Sequence, residues 1–543
     1  MPAKEKVLIE QLHHLSNKYE PEALLEKTKL LKQIPNLKRI SSSGLISYHD
    51  TLLFLLAYPA NRQQLLLTQQ ALKKLSVLLR KMSVSQKGDL LNSGLPNTPY
   101  RSRFSHDMVK WLLIHPDCSM RLYQIANDWF DLNEVLKLTL PSLEKSETTA
   151  GMENDMLLDT LRVPKNERLQ FLVNELSKIE DKTYIKDHLF DGLGIYADIN
   201  PKSVKFSRAY NTIPVGEYFF HQLILKKFDY NALLATPVKS AVKLCDESKA
   251  QLITTIKNTM ALTDRETDPI TYMDTNQVWL YEMNRGISIA IYGMYPDRQL
   301  PLQSYIGYTL FKNGIPAAYG GAWLFGKRAD FGINIFEPFR GGESGYIMCE
   351  LLRLYRSVFN ISYFEVEPYQ YGLDNPDGIA TGAFWFYYRF GFRPLSKELA
   401  KIAAAEYSKI STDKKYRTSK RTLLRFTEDN IALNLGNEIP VKIADIINPV
   451  IKMNASKFKS NRLESENACV NTFLEKTKMK LPVSKQEIQV LKEVALWAVS
   501  AGVQNNDQLD IMQQMVKAKP ADCFTYQKLL HEFFNQQLKK SVM

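Results

Sequence analysis

The feature that most constrains the fold is a block of β-type sequence, between residues 286 and 336, inside a chain whose other segments read as helical. Its segments are rich in β-branched and aromatic residues, which favour strands: 286–294 (GISIAIYGM), 305–311 (YIGYTLF), 317–325 (AAYGGAWLF) and 331–336 (FGINIF). Asn313 and Gly314 separate the second segment from the third. This dipeptide predicts a tight hairpin turn, because both residue types accept a positive φ.

An α/β pattern continues beyond this block. A glycine-rich turn at 337–345 leads into a helix whose apolar face includes Ile347, Leu351 and Tyr355. Residues 361–366 predict another strand, and residues 380–390 predict an aromatic helix that ends before Gly391. Glycine is the residue type that most often follows a helix. The order strand, hairpin, strand, turn, helix, strand, helix predicts one compact α/β unit.

The flanking segments predict helices. Apolar residues recur at i, i+3 and i+4 spacing before the unit and after it: 7–15, 22–31, 48–58, 63–82, 107–114, 484–500 and 520–540. A chain of 543 residues is also longer than one ordinary domain. We therefore predict an α+β multidomain protein: a mostly helical region at 1–265, a mixed-sheet α/β domain at 266–400 and a helical, partly basic region at 401–543. Gly and Pro residues at 87–106 indicate a further boundary within the first region.

The chain carries 70 Lys and Arg residues against 58 Asp and Glu residues, a formal net charge of +12. Such an excess is typical of proteins with an anionic partner, such as nucleic acid or a nucleotide-type co-substrate. Dispersed charge also serves solubility, so the composition leaves both interpretations open.

Cysteine usage and hydropathy exclude some classes. The five cysteines are far apart and form no C-x-x-C pair, so we expect neither a disulfide framework nor a metal site. No apolar run reaches the ~20 residues of a membrane helix. The N-terminus lacks the apolar core of a signal peptide. We therefore expect no membrane partner and a cytoplasmic location.

The turn before the predicted helix carries Arg340, Gly341, Gly342, Ser344 and Gly345. A helix N-terminus presents unpaired N–H groups and a partial positive charge, and glycine lets the main chain approach an anion closely. The segment therefore predicts a cradle for a diphosphate. It has neither the Gly-Lys-Ser/Thr of a P-loop nor the G-x-G-x-x-G of a dinucleotide fold. A tight turn without a ligand is the alternative.

Two segments resemble the GCN5-related N-acetyltransferase (GNAT) superfamily, whose members bind an acyl-CoA. The family pattern A-x-x-F-Y-x-K/R-x-G-F falls without a gap on Ala383, Phe386, Tyr387, Arg389, Gly391 and Phe392. The family's loop pattern Q/R-x-x-G-x-G/A matches Arg340 and Gly345, whereas Glu343 stands in place of the middle glycine. The resemblance covers about residues 285–396 and does not extend to the flanking regions.

The resemblance implies roles for particular residues. The main chain of Ile335 and Phe336 would pair with the pantetheine arm of acetyl-CoA or another acyl-CoA. The turn at 340–345 would hold the diphosphate of the same molecule. Tyr387 would protonate the departing thiolate; the alternative for this residue is a place in an aromatic core.

A base must also remove a proton from the attacking amine. Alternation along residues 362–367 puts Glu365 and Glu367 on one face of a strand, and Glu337 lies at a neighbouring strand end. We rank Glu367 and Glu337 first, because they lie nearest the predicted strand ends. The alternative for each carboxylate is a solvated position on the surface.

These features lead us to expect an N-acyltransferase that moves an acyl group from acyl-CoA to an amine by direct attack; the sequence does not identify the amine. One alternative is a catalytically inactive GNAT-like scaffold. Another is a nucleic-acid-dependent or aminoacyl-tRNA-dependent transferase, which basic residues after the unit favour: Lys409, Lys414, Lys415, Arg417, Lys420, Arg421 and Arg425. A serine hydrolase is disfavoured, because the segment around Ser344 departs from G-x-S-x-G and no histidine lies between residues 222 and 530.

Overall fold

The computed structural model describes residues 4–33, 40–148, 151–179, 183–436 and 438–541. The protein is α+β, as predicted, with helices before and after a large mixed sheet. The helices that precede this sheet are α1 (Lys4–Leu15), α2 (Pro21–Gln33), α3 (Ser42–Ala57), α4 (Arg62–Lys81), α5 (Val84–Gly88), α6 (His106–Leu113), α7 (Leu132–Thr139), α8 (Asn154–Thr160), α9 (Arg168–Ser177), α10 (Thr183–Gly192), α11 (Tyr230–Ala235), α12 (Asp246–Thr263) and α13 (Asp268–Thr271).

The mostly helical first region also contains a small antiparallel sheet that the sequence analysis missed. Its strands are β1 (Tyr100–Ser102), β2 (Cys118–Ile125) and β3 (Ile195–Pro201), in the order β1-β3-β2. The pairing of Tyr100 with Ile199 joins segments far apart in the chain. Because a three-residue strand such as β1 has little periodicity of its own, only its distant partner identifies it.

The central sheet has eight strands: β4 (Met273–Glu282), β5 (Ile287–Met294), β6 (Ser304–Lys312), β7 (Ile315–Phe325), β8 (Arg328–Ile335), β9 (Tyr363–Val366), β10 (Arg393–Pro394) and β11 (Ile431–Asn434). Their order is β10-β11-β9-β8-β7-β6-β5-β4. The pair β8–β9 is parallel and the other neighbours are antiparallel.

The predicted hairpin between β6 and β7 is confirmed. Asn313 and Gly314 have φ values of 46° and 80°, and Lys312 pairs with Ile315 across the turn. The Asn313 side chain also donates a hydrogen bond of 2.9 Å to the carbonyl of Ala57, at the end of α3. The turn residue therefore anchors the sheet to the helical first region.

Helix α14 (Ser344–Phe359) connects the parallel strands β8 and β9. Its apolar face packs into the core, where the Tyr355 hydroxyl donates to the Ile306 carbonyl at 2.6 Å. The helices that follow β9 are α15 (Pro376–Thr381), α16 (Ala383–Arg389), α17 (Lys397–Thr412) and α18 (Lys420–Phe426). The predicted helix at 380–390 is divided at Gly382, whose φ of 64° ends α15. Gly391 follows α16 with a φ of 92°, as predicted.

The sheet extends beyond the predicted boundary at residue 400. Strand β11 lies between β9 and β10, so residues up to 434 belong to the central sheet. After it come α19 (Ile443–Lys457), α20 (Arg462–Thr477), α21 (Lys485–Ser500), α22 (Asn506–Ala521) and α23 (Cys523–Ser541). These helices enclose a second hydrophobic core, whereas the first region and most of the sheet share one continuous core.

None of the helices in the described ranges is long and apolar enough to cross a bilayer.

The burial of side chains in the second core leads to a prediction about the free energy of unfolding. Leu491 on α21 is fully buried, so Leu491→Ala should lower the free energy of unfolding by about 2–5 kcal/mol. Leu481→Ala, at a position that is 61% exposed, should change it by less than about 0.5 kcal/mol. Urea unfolding followed by tryptophan fluorescence measures both values. Equal losses in the two variants would contradict the assignment of this core.

Candidate active site

The parallel strands β8 and β9 separate after three paired positions. The last of these joins Asp330 to Glu365, after which β8 continues to Ile335 while β9 ends at Val366. The part of β8 beyond Asp330 therefore has no paired residue on β9. We call this gap between the strands the wedge; its wall on the β8 side is residues 331–335.

Side chains cap the main-chain groups of β8 in the wedge. The Ile333 N–H donates to Oε1 of Gln370 at 3.3 Å, and the Tyr387 hydroxyl donates to the same oxygen at 3.2 Å. Nε of Arg340 donates to the Ile335 carbonyl at 3.2 Å. Gln370 lies on the 3-10 turn Pro368–Tyr371 and was not among the predicted site residues. The sequence signal that could have found it is a glutamine in the turn that follows β9, the strand parallel to β8.

The predicted role of the Phe336 main chain needs correction. The Phe336 N–H donates to the Ala317 carbonyl of β7 at 3.0 Å, on the side of β8 away from the wedge. The Phe336 ring is buried and stacks on Tyr319. Because successive main-chain groups of a strand point to opposite neighbours, Ile335 and Phe336 do not both face the wedge.

Tyr387 on α16 is placed where it could donate a proton into the wedge. Its ring is buried among Tyr371, Phe386 and Phe392, and its hydroxyl points to Gln370. Burial raises the pKa of Tyr387 well above its ordinary value. The phenol is therefore neutral at physiological pH and can donate a proton, whereas it cannot serve as a base.

The turn at 340–345 does not form the open cradle that its glycines predicted. The Gly342 N–H donates to the Phe339 carbonyl at 2.9 Å, and the Glu343 N–H donates to the Tyr58 hydroxyl at 3.4 Å. A Cβ atom at Gly342 would lie 2.6 Å from the Tyr58 ring, and one at Gly345 would lie 2.4 Å from the Phe390 ring. These two glycines are needed for close packing of aromatic rings, which cover the turn.

The other turn residues are more open. A Cβ atom at Gly341 would approach only the Asn17 side chain, at 3.7 Å. The Ser344 hydroxyl donates to the Arg340 carbonyl at 3.2 Å, so it is used within the turn. Arg340 itself is about half exposed. Its guanidinium is therefore the most accessible cationic group of the turn.

Glu343 points away from the outer face of the turn. Its buried carboxylate accepts hydrogen bonds from Nζ of Lys312 at 2.7 Å, Nε of Arg285 at 3.0 Å and the Leu225 N–H at 3.0 Å. Burial alone would raise the pKa of Glu343, but the charges and hydrogen bonds of Lys312 and Arg285 outweigh burial and lower it. The residue that departs from the family pattern is thus the centre of an internal ion network.

A buried histidine borders this network. Nε2 of His221 lies 3.8 Å from Oε2 of Glu343, and its ring contacts Tyr58 and Phe219. Burial, with Lys312 and Arg285 nearby, lowers the pKa of His221 to about 3, although Glu343 opposes the shift. His221 is therefore neutral at physiological pH. Its protonation at lower pH would add a third cation, after Lys312 and Arg285, beside the single carboxylate of Glu343.

The candidate bases differ in their surroundings. Glu337 is more than half exposed, and its Oε1 lies 3.2 Å from Arg340 and 3.4 Å from Arg265. Glu367 is exposed. Glu365 is buried, pairs with Arg328 and accepts from Nδ2 of Asn430 at 2.5 Å. Glu365 therefore serves the structure of the sheet, whereas Glu337 and Glu367 are accessible.

Asp330 is an acid that the sequence analysis missed, because the predicted strand began one residue later. It lies on β8 at the base of the wedge. Burial raises the pKa of Asp330, and the charge of Glu367 adds to the effect, although Arg328 opposes it. A carboxyl group whose pKa is raised in this way is a typical candidate for proton transfer.

A cavity of about 700 Å³ opens beside the turn. Glu337, Pro338 and Gly341 form one wall, and residues of α1 and α3 such as His13 and Ser47 form the other. The cavity is large enough for a small-molecule substrate. It brings Glu337, but not Glu367, next to a space that such a substrate could occupy.

Comparison of the chain with protein-family models, with curated proteins and with solved structures found no match.

The His221 environment predicts acid sensitivity. Between pH 6.5 and 3 the unfolded chain binds a proton at His221 that the folded chain does not bind, so stability falls as the pH falls. Between pH 6 and pH 5 the wild type should lose about 1 kcal/mol more than His221→Phe. Urea unfolding at both pH values measures this difference. The exposed His14→Asn variant is the control and should follow the wild type; a His221→Phe variant with the wild-type pH dependence would contradict the assignment.

Proposed function

We propose that this chain is an N-acyltransferase that takes its acyl group from acyl-CoA, as GNAT proteins do. The observation that carries the proposal is the wedge. There the Ile333 N–H and the Ile335 carbonyl are capped by side chains, and the hydroxyl of Tyr387 lies beside them. The order of the strands, with the parallel pair β8–β9 inside the sheet, also supports it.

The wedge suits the pantetheine arm of an acyl-CoA. The carboxamide of Gln370 is the same chemical group as the two amides of that arm. An arm lying along β8 would replace Gln370 at the Ile333 N–H and Arg340 at the Ile335 carbonyl. Both caps are side chains that are at least partly exposed, so binding exchanges one set of hydrogen bonds for another at a small net cost.

The diphosphate requires a different arrangement from the one predicted. The main-chain amides of Gly342 and Glu343 already donate within the protein, so they do not fit a diphosphate cradle. Arg340 and Arg265 are each about half exposed and flank Glu337 at the edge of the turn. Guanidinium groups bind phosphate oxygens in a bidentate manner. We assign the diphosphate to these two arginines.

The reaction then follows from the positions of the acid and the bases. Asp330 or Glu367, at the base of the wedge, takes a proton from the acceptor amine directly or through water. The amine nitrogen attacks the thioester carbonyl, the new C–N bond forms and the C–S bond breaks. Tyr387 gives its proton to the leaving thiolate. Glu337, the other predicted base, pairs with Arg340 and Arg265, so it lies where the diphosphate is assigned and away from the reacting thioester.

Arg340→Ala tests the binding of the donor. Loss of a charge-assisted hydrogen bond to phosphate costs about 1.5–3 kcal/mol, so the affinity for acetyl-CoA should fall roughly tenfold or more. Isothermal titration calorimetry measures it. Arg425→Ala is the matched control, because Arg425 is an exposed arginine that pairs with a glutamate, Glu398, outside the site. The control should bind acetyl-CoA like the wild type, and equal affinities in all three proteins would contradict the assignment.

Tyr387→Phe tests the acid. A general acid contributes about 10²- to 10⁴-fold to the rate, so kcat should fall within that range while the KM for acetyl-CoA changes little. The assay is the release of free CoA thiol from acetyl-CoA in the presence of a panel of amines. The control is Tyr388→Phe, the neighbouring tyrosine on α16, which should retain the wild-type kcat. An unchanged kcat in Tyr387→Phe would remove Tyr387 from the acid role.

A non-catalytic scaffold is the second candidate function. It is favoured by the rings of Tyr58 and Phe390 that cover the turn, and by Gln370 in the wedge. In a protein of this kind, the wild type would not bind acetyl-CoA in the calorimetric experiment. The same measurement therefore separates the two candidates.

Nucleic-acid dependence has weaker support. Among the basic residues that motivated it, Lys409 pairs with Glu406 at 2.8 Å and Arg425 pairs with Glu398 at 2.6 Å. Such pairs reduce the positive charge that a phosphate backbone would meet.

The cytoplasmic location remains a prediction from the sequence.

A further inference from the structure

A second cavity, of about 320 Å³, lies between helices α6, α10 and α12 and the turn that follows β5. None of its lining residues belongs to the candidate active site. Its volume is at the lower end of the ~300–1,000 Å³ of small-molecule pockets. The cavity therefore suits a compact ligand.

The charges around this second cavity are unbalanced. Four cationic side chains line it, against two carboxylates: Lys110, Lys186, Lys257 and Arg298, with Asp107 and Asp297. Asp187 pairs with Arg298 from outside the lining, so cations exceed carboxylates by one and the cavity keeps an excess of positive charge. An anion is the ligand that such a lining attracts.

Two of the cations are already paired. Arg298 is buried, pairs with Asp187 and stacks 3.8 Å above the Tyr272 ring. Nζ of Lys186 lies 2.8 Å from Oδ1 of Asp107 and is mostly buried. These pairs use Asp107 and Asp187, whereas Asp297, the other carboxylate of the lining, belongs to neither pair.

Lys257 is left without a carboxylate. No Asp or Glu oxygen in the described ranges lies within 4.0 Å of its ammonium group, and Nζ lies 5.5 Å from the centre of the Trp111 ring. Burial lowers the pKa of Lys257, while Asp107 and Glu266 oppose the shift from a longer distance. A partly buried ammonium group on a cavity wall lacks a counter-ion, which a ligand can supply.

We propose that this cavity binds a small molecule with a phosphate monoester and a planar ring, the chemistry of a nucleoside monophosphate. A phosphate monoester carries a charge of about −1.5 to −2 at neutral pH, which suits Lys257 and Lys110, the two cations of the lining that neither of these ion pairs uses. Lys257 and Lys110 hold the phosphate. Trp111 and Tyr295, which is 43% exposed, provide aromatic surfaces for the ring.

The test uses the full-length protein and AMP as the probe in isothermal titration calorimetry, with adenosine as the uncharged comparison. AMP should bind to the wild type, and adenosine should bind at least tenfold more weakly. Lys257→Met keeps the length of the side chain and removes its charge, so it should weaken AMP binding at least tenfold. Lys249→Met lies on the same helix outside the cavity and should change the affinity less than twofold.

A further variant distinguishes loss of the phosphate contact from misfolding. Lys110 is exposed on α6, so Lys110→Met should fold normally, as checked by thermal unfolding, and should weaken AMP binding about threefold or more. Wild-type protein that does not bind AMP would overturn the proposal. Equal affinities for AMP and adenosine, or unchanged AMP affinity in Lys257→Met and Lys110→Met, would overturn it as well. Loss of acetyl-CoA binding in the active-site variants has no bearing on these outcomes, because the two sites share no residue.

Discussion

The buried carboxylate of Glu343 is the contact around which the parts of the molecule are assembled. It joins the turn before α14 to Lys312 at the end of β6, to Arg285 in the turn before β5, and to the main chain of Leu225. Removal of one partner from a buried ion pair costs about 3–5 kcal/mol, because the other charge stays buried without compensation. The network therefore fixes the position of the turn relative to both the sheet and the first region.

This network also shapes the candidate active site. Because the Glu343 side chain is held inside, its N–H meets the Tyr58 hydroxyl, and Gly342 lies against the Tyr58 ring. The turn is thereby closed to a diphosphate, and Arg340 remains as its accessible charge. The wedge is governed by a separate constraint: two strands that diverge leave main-chain groups that side chains or a ligand must satisfy. The turn and the wedge thus differ in how readily a ligand could enter.

Much of the fold could be predicted from the sequence. The strands of the β block, the Asn313-Gly314 turn, helix α14 and the position of Gly391 all depend on residues within one element or one turn. The predicted site was less complete. Glu337, Arg340 and Tyr387 lie around the wedge and turn, whereas Gln370 and Asp330 were missed. Gln370 and Asp330 belong to the site because β8 and β9 stop pairing beside them. The periodicity within one strand does not indicate where its pairing with a neighbouring strand ends.

The sequence by itself determined the local structures and the chemical groups available, because periodicity, glycine positions and turn residues act over a few neighbours. Only the tertiary structure decided which of those groups are free. Tyr58 covers Gly342 and hydrogen-bonds Glu343, although it lies 285 positions before Glu343 in the chain. Lys312, at the end of β6, neutralises the Glu343 carboxylate. A glycine-rich turn has the same sequence whether an anion or an aromatic ring lies against it. Which of the two does so depends on packing between distant segments, since burial and charge compensation are properties of the assembled core.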